Sequence, residues 1–215
     1  MHIDVIMGVL PLLLGAAGVT IYVSLAAMMI GITLGIGVSL LHQSSSKVLS
    51  WFAAVFISFF RGVPPLVQLL LAYVLLPVIG INLPVTAMAI LVLGLGSTAY
   101  VAEIYRGAFL ANGRGQREAA EALGFTEQKI WIRIVIPQAT RVALPALVNE
   151  LILLLKASSL LSVVGVTELT RVGQTSAAST YRPLEVFLAT AAVYLAMNTV
   201  IAVLGRACER RLSIS

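Results

Sequence analysis

Glu150 and Lys156 stand out because they fall within or beside an apolar run, about Ile134 to Leu155. A charge deep in lipid is expensive and faces a cavity or a partner. Glu150 follows Pro137 by 13 residues, about 20 Å along a helix. That depth allows two readings. The carboxylate can line a path, where it would meet an amino or guanidinium group. It can instead form a hydrogen-bonded contact between helices. Lys156 lies six positions on, about 240° around the same helix, so the two are not an i,i+4 pair. Its ammonium can snorkel to an interface or hold a carboxylate near Ser158 and Ser159. Glu103 and Arg106, three apart, are spaced to pair with each other. Arg61 precedes Pro64-Pro65, where a helix can start, and is expected at the headgroups after an interfacial 48–60 segment.

Catalytic constellations are absent from the sequence. No Gly-Lys followed by Ser or Thr marks a phosphate-binding loop, and Lys47, Lys129 and Lys156 lack that context. His2 and His42 lie outside apolar segment interiors, and neither HExxH nor GxSxG occurs. Cys208 is the single cysteine, so no internal disulfide forms. The chain itself is expected to be no enzyme and to bind no cofactor or metal.

The elements that position these residues follow from composition. Of 215 residues, 60% are hydrophobic and 11% charged, with mean hydropathy +1.02. A soluble domain would be about a quarter charged. The balance excludes a soluble globular enzyme, a disordered chain and a disulfide scaffold. With about 20 apolar residues per span, the length accommodates five or six spans and one substantial loop. Residues 5–46 are free of Asp, Glu, Lys and Arg, but Pro11, Gly15 and Gly18 interrupt their first half. An irregular or interfacial lead-in is expected there, followed by a span over about 19–41. Residues 62–102 are also charge-free and divide at Pro77 and Asn82-Leu83-Pro84, giving spans over about 64–80 and 84–104. The last two spans are expected over about 134–155 and 184–205. The whole chain reads as one all-α, polytopic transmembrane domain.

Five spans put Lys47, Arg106, Arg114, Arg117, Lys129, Arg133, Arg206, Arg210 and Arg211 on one side. Arg171 and Arg182 fall on the other. The positive-inside rule then places the N-terminus outside and the C-terminus in the cytoplasm. The basic excess calls for no nucleic acid. A start without Lys or Arg also argues against a cleaved signal peptide. Splitting residues 5–46 into two helices gives a six-span alternative with the N-terminus inside.

The loop between spans three and four, residues 106–137, is far longer than a passive connection needs. Glu118 to Leu123 favours helix, Gly124 closes it, and Thr126 can cap a second helix through Lys129, Ile130 and Trp131. Ala119, Ala120, Leu123, Phe125, Ile130 and Trp131 give the loop an apolar surface. That surface suits docking of another protein, or packing on the chain's own span ends. Gly31 and Gly35 on span one, and Gly94, Gly96 and Ser97 on span three, permit close helix contact within or between subunits.

The loop resembles a known pattern. Glu118-Ala119-Ala120, three residues, Gly124, nine residues, Ile134, one residue, Ile136-Pro137 is similar to the loop motif of binding-protein-dependent ABC importer permeases, with Ile136 in place of Leu. Three further segments resemble the polar amino-acid (histidine/arginine/glutamine) group of that family: Phe60-Arg61-Gly62-Val63-Pro64-Pro65-Leu66-Val67-Gln68, Ala99-Tyr100-Val101-Ala102-Glu103-Ile104-Tyr105-Arg106-Gly107, and Lys156-Ala157-Ser158-Ser159-Leu160 through Glu168-Leu169. The resemblance implies a type I importer permease in a bacterial inner membrane. Its loop would seat coupling helices in a separate ATPase, through Glu118, Ala119, Ala120, Gly124, Ile134 and Pro137. It also implies a second permease subunit (the same chain or a paralogue), an extracytoplasmic amino-acid-binding protein, and ATP with Mg on the ATPase. The fourth span would line the path, which favours Glu150 as a path residue; Lys156, Ser158 and Ser159 stay candidates beside it. Family members often carry Asp after this lysine, and Ala157 stands there instead, weakening the case for a cationic solute. A secondary transporter or channel for a small polar solute is the alternative, but it generally has more spans, often in repeats.

Overall fold

The computed structural model describes residues 3–111 and 114–212; His2 and the loop residues Asn112 and Gly113 lie outside them. The described chain is helical, in the order α1 (Ile3–His42), α2 (Lys47–Gly62), α3 (Pro65–Val78), α4 (Val85–Ala111), α5 (Arg114–Ala122) and α6 (Glu127–Ile130). A π turn (Trp131–Val135) leads directly into α7 (Ile136–Ala157), and a 3₁₀ segment (Ser158–Val164) closes it. Then follow α8 (Leu169–Thr180) and α9 (Pro183–Leu212). Among the described residues four helical stretches are long and apolar enough to cross a membrane, and a fifth crossing requires α2 and α3 together.

The expected irregular lead-in before Val19 is a correction: residues 3–42 form one helix of 40 residues. At 1.5 Å per residue it is about 60 Å long, twice the hydrocarbon thickness. Pro11 and the glycines do not break it because packing overrides them. Val9, Leu13 and Ala17 are buried with Val186, Ala189 and Val193 of α9 and Leu169 and Ala177 of α8. Each apolar contact on that stripe rewards continuing the helix.

The division at Pro64-Pro65 produces a bend of 106° between α2 and α3. Pro65 opens α3, where its missing N–H costs nothing. Gln68 secures the corner: its Nε2 donates to the carbonyls of Val63 (2.7 Å) and Phe60 (3.0 Å). Arg61, expected at the headgroups, also gains a partner. Its Nη1 lies 3.4 Å from Glu103 Oε2, and its guanidinium sits 5.6 Å from the Tyr100 ring centre. Glu103 accepts from Arg106 as well, at 2.9 and 3.0 Å, so the anticipated pair is a three-residue cluster.

The main core joins α1, α3, α4 and α7, through residues such as Val23, Leu69, Leu93, Tyr105 and Leu147. Helices α1 and α4 meet closely because glycines face side chains. A Cβ on Gly31 would stand 2.6 Å from Ser97 Oγ, one on Gly35 would stand 2.6 Å from Val101 Cγ1, and one on Gly94 would stand 2.8 Å from Ile30 Cβ. These contacts lie within the subunit. Gly31→Val is therefore expected to lower the melting midpoint of the detergent-purified protein by several degrees, since overpacking costs about 1–3 kcal/mol. Gly37→Val, with nothing within 4 Å of a Cβ, leaves it unchanged. Equal midpoints for the two variants would show that α1 does not press on Ser97.

Candidate functional site

Two regions hold the residues singled out by sequence, and α7 connects them. The first is the helical loop. Helix α5 ends at a glycine turn in which the Phe125 N–H bonds the Ala120 carbonyl (3.1 Å) and the Gly124 N–H bonds the Glu121 carbonyl (2.9 Å). This paired pattern is a Schellman cap, and Gly124 has the φ of +78° that it demands. Thr126 occupies the N-cap position of α6, but its side chain makes no capping hydrogen bond, contrary to expectation. The corner is braced instead by Arg117. It donates to Glu121 Oε1 (2.9 Å) and to both carboxylate oxygens of Glu127 (2.8 and 3.1 Å), while Trp131 Nε1 donates to Glu127 Oε1 (3.0 Å). The hydrogen bond to Glu121 and the charge of Glu127 push the Arg117 pKa further up, so this brace carries its full charge across the physiological range.

The apolar surface expected of this loop is smaller than its composition suggests. Ala120 and Ile130 are buried, and Trp131 packs edge-on against Phe109 (5.3 Å between ring centres). Packing on the chain's own span ends accounts for those three. Leu123 (78% exposed), Phe125 (39%) and Ile132 (59%) remain outward, with Glu118 and Ala119 exposed beside them. Ile132 carries no mark in the sequence that distinguishes it from its buried neighbours.

Ile134 lies half-buried in the π turn, and Pro137 is exposed just beyond it. The two positions have one physical explanation. The helix runs without a break from Glu127 into α7, so Pro137 would drive its ring into the carbonyl four residues earlier. A wider i→i+5 turn relieves that clash, and the Ile136 N–H bonds the Trp131 carbonyl.

The second region is a cavity of about 250 Å³ between α3, α4 and α7, closed at one corner by Phe60. Gln68, Ser97, Tyr100 and Glu150 supply its polar groups, and Gly96 and Ala157 its small walls. Glu150 is 6% exposed and shares the cavity wall with Ser97, whose hydroxyl lies 3.9 Å from Met28 Sδ. Ser97 is the residue pressed by Gly31, so the glycine on α1 sets the position of one cavity wall beside Glu150. Of the four path candidates, Glu150 alone stands among the cavity walls. Lys156 is exposed away from it. The Ser158 hydroxyl is buried and donates to the Leu155 carbonyl (2.8 Å), and Ser159 donates to the Lys156 carbonyl (2.8 Å). Those hydroxyls are spent on the end of α7. Sequence reasoning missed Gln68, Ser97 and Tyr100 as neighbours of Glu150. The small-residue run Gly94–Ser97 was the available signal, since a thinned helix admits a cavity.

Apolar helices around a cavity that holds a buried carboxyl group, joined by a braced helical loop, define an integral membrane transport component. The chain belongs to the family of binding-protein-dependent transport system inner membrane components, whose family model matches residues 27–214. It is 35% identical to the arginine transport system permease protein ArtQ of Bacillus subtilis (strain 168), over 94% of this chain and 93% of that one. It is 36% identical to the glutamine transport system permease protein GlnP of Escherichia coli (strain K12), over 95% and 94%. Among solved structures, an amino-acid ABC transporter crystallised with histidines superposes with a TM-score of 0.85 at 38% identity, covering 94% of each chain. An inward-facing methionine transporter, MetNI, shares the fold, with a TM-score of 0.78 at 20% identity.

Proposed function

We propose that this chain is the permease subunit of an ATP-driven importer of polar amino acids, with Glu150 on the solute path. The buried Glu150 carboxylate on a cavity beside Ser97 and Gln68 carries this reading. An amino group is the natural complement of a carboxylate desolvated in this way. ATP with Mg binds a separate ATPase subunit, and a loaded binding protein delivers the solute from outside. Leu123, Phe125 and Ile132, beside Glu118 and Ala119, form the face that seats in the ATPase. Closure of the ATPase pulls on this face and shifts the bundle between inward- and outward-facing states, and the docked loop supplies the differential contact such coupling needs. Two copies, or this chain and a paralogue, complete the path. The fully buried residues do not include Lys156, which is assigned to the outer interface, within reach of a solute carboxylate on entry. Ala157 adds only a methyl to the cavity, so Glu150 is the single carboxylate there and a cationic solute depends on it more than a neutral one.

The matching family, the relatives' names and the excess of basic residues at the loop end all favour this assignment and an N-out, C-in orientation. Reconstitution tests it. ATP-dependent uptake is expected only when an ATPase subunit and a solute-binding protein are both present; gradient-driven uptake by this chain alone would overturn the reading. For orientation, an impermeant thiol reagent should reach Cys208 in inverted vesicles and a cysteine at Asp4 only in right-side-out ones. Labelling of both from one side would remove the five-span arrangement.

A further inference from the structure

A second hollow lies outside the candidate path. Helices α1, α7 and α9 enclose a long groove of about 940 Å³. Its walls are aliphatic apart from Ser24, whose hydroxyl is already bound to the Thr20 carbonyl (2.8 Å), and Cys208 at one end. Near that end Gly205 admits Val148, so α7 and α9 touch and give the groove a floor. Leu144 and Val148 of α7 and Leu204 and Cys208 of α9 form its sides there.

Both stripes end in an arginine. Arg141 precedes Leu144 by three positions on α7, and Arg211 follows Cys208 by three on α9. Residues three apart share a helix face, so each guanidinium continues the line of its stripe beyond the apolar walls. Both arginines are exposed, and among the described residues neither has a carboxylate partner at salt-bridge distance. An apolar channel with an arginine one turn beyond each of two facing wall residues, Leu144 and Cys208, calls for an amphiphile: a hydrocarbon tail with an anionic head. A partner helix fits less well. Helices associate in lipid through small and polar residues, while this half of the groove is walled by Leu144, Val148, Ile201 and Leu204. A neutral helix would also leave both guanidinium groups uncompensated.

We infer that the groove holds an anionic phospholipid, one acyl chain lying between α7 and α9 and the phosphate held by Arg141 and Arg211. One leaflet is about 15 Å of hydrocarbon, or about ten residues of helix, which is the distance from Cys208 back to the level of Asn198. The chain therefore fills the cation-capped half, against Ile201 and Leu204. The α1-lined half near Ile6 and Leu10 belongs to the other leaflet. A basic residue near a membrane surface favours anionic lipid by about fivefold, so the pair selects it by about 25-fold over a zwitterionic lipid.

Cys208, free and exposed in the groove, is a built-in reporter. The full permease complex is labelled there with bimane and placed in phosphatidylcholine nanodiscs. Part of the lipid is replaced by brominated phosphatidylglycerol or, separately, brominated phosphatidylcholine. Quenching by the brominated phosphatidylglycerol is expected at several-fold lower mole fraction. Arg141→Gln with Arg211→Gln should bring it to the phosphatidylcholine level, and the double Lys variant should retain most of the preference. Rising salt should erode the preference in the unsubstituted protein, which decides the matter if the Gln variant fails to assemble. Equal quenching by the two lipids, or a preference indifferent to both salt and the substitutions, would overturn the assignment. Protection from both quenchers would show that a helix, such as one from a second copy, covers the groove instead.

Discussion

Glu150→Gln is expected to yield a complex that assembles, hydrolyses ATP at its basal rate and transports its solute at least about tenfold more slowly. Hydrogen bonds to charged groups contribute about 1.5–3 kcal/mol, equivalent to about 10–150-fold. Gln preserves the shape of the side chain and can still hydrogen-bond its neighbours, since an amide both donates and accepts. What it removes is the one acidic group among the cavity walls. A purely structural hydrogen bond would survive the exchange, so uptake at the unsubstituted rate would reject Glu150 as a path residue. Loss of the protein from the membrane would assign it to packing. With Ala157 offering no second acidic group, a cationic amino acid should suffer more than a neutral polar one.

Gly124→Val is expected to separate ATP hydrolysis from transport. The glycine holds φ +78°, a region that costs an ordinary L residue about 1–2 kcal/mol and a β-branched one more. A Cβ there meets no neighbour within 4 Å, so the cost is backbone strain and not a clash. Relief of that strain unwinds the Schellman cap and turns α5 relative to α6. Leu123 and Phe125 on either side of Gly124 then lose their common face. The chain should still insert, because α5 and α6 contribute little to the core. Stimulation of ATP hydrolysis by solute-loaded binding protein should fall severalfold or more, with uptake falling in parallel. Coupled uptake at the unsubstituted rate would make the loop a passive connection. Gly124→Asn, which tolerates the left-handed region, should keep much of the coupling.

The legible parts of this molecule were those written locally. A helix former followed by Gly124 marks a cap wherever it occurs, and the π-relieved Pro137 sits where an apolar run begins. Glu150 announced itself by contrast with its neighbours. Contacts between distant segments left no such trace. Ser97 meets Glu150 only after α1, α4 and α7 assemble, and nothing around Ser97 in sequence distinguishes a partner from a spacer. The Arg61–Glu103 contact is equally silent in sequence, because the two residues lie 42 positions apart. The backbone chemistry of Pro11 favours a break, and the packing of Leu13 and Ala17 with α9 outweighs it. Composition likewise could not tell Ala120 and Ile130, turned inward, from Leu123 and Ile132, turned outward.

The unbroken course from Glu127 through the π turn into α7 has a mechanical consequence. Glu127, held by Arg117, sits at one end of this continuous helix, and Glu150 sits 23 residues along it, a reach of about 35 Å, with Pro145 inside α7 between them. Bending is least resisted at two places along it: the π turn, with its looser winding, and Pro145, which has no N–H to bond the preceding turn. From Val135 to Glu150 the lever arm is about 22 Å, so a tilt of about 5° displaces the carboxylate by about 2 Å. That stroke is enough to make or break a hydrogen bond. A push at the loop is therefore expected to reach the middle of α7 through this one helix, shared between the bends at the π turn and at Pro145.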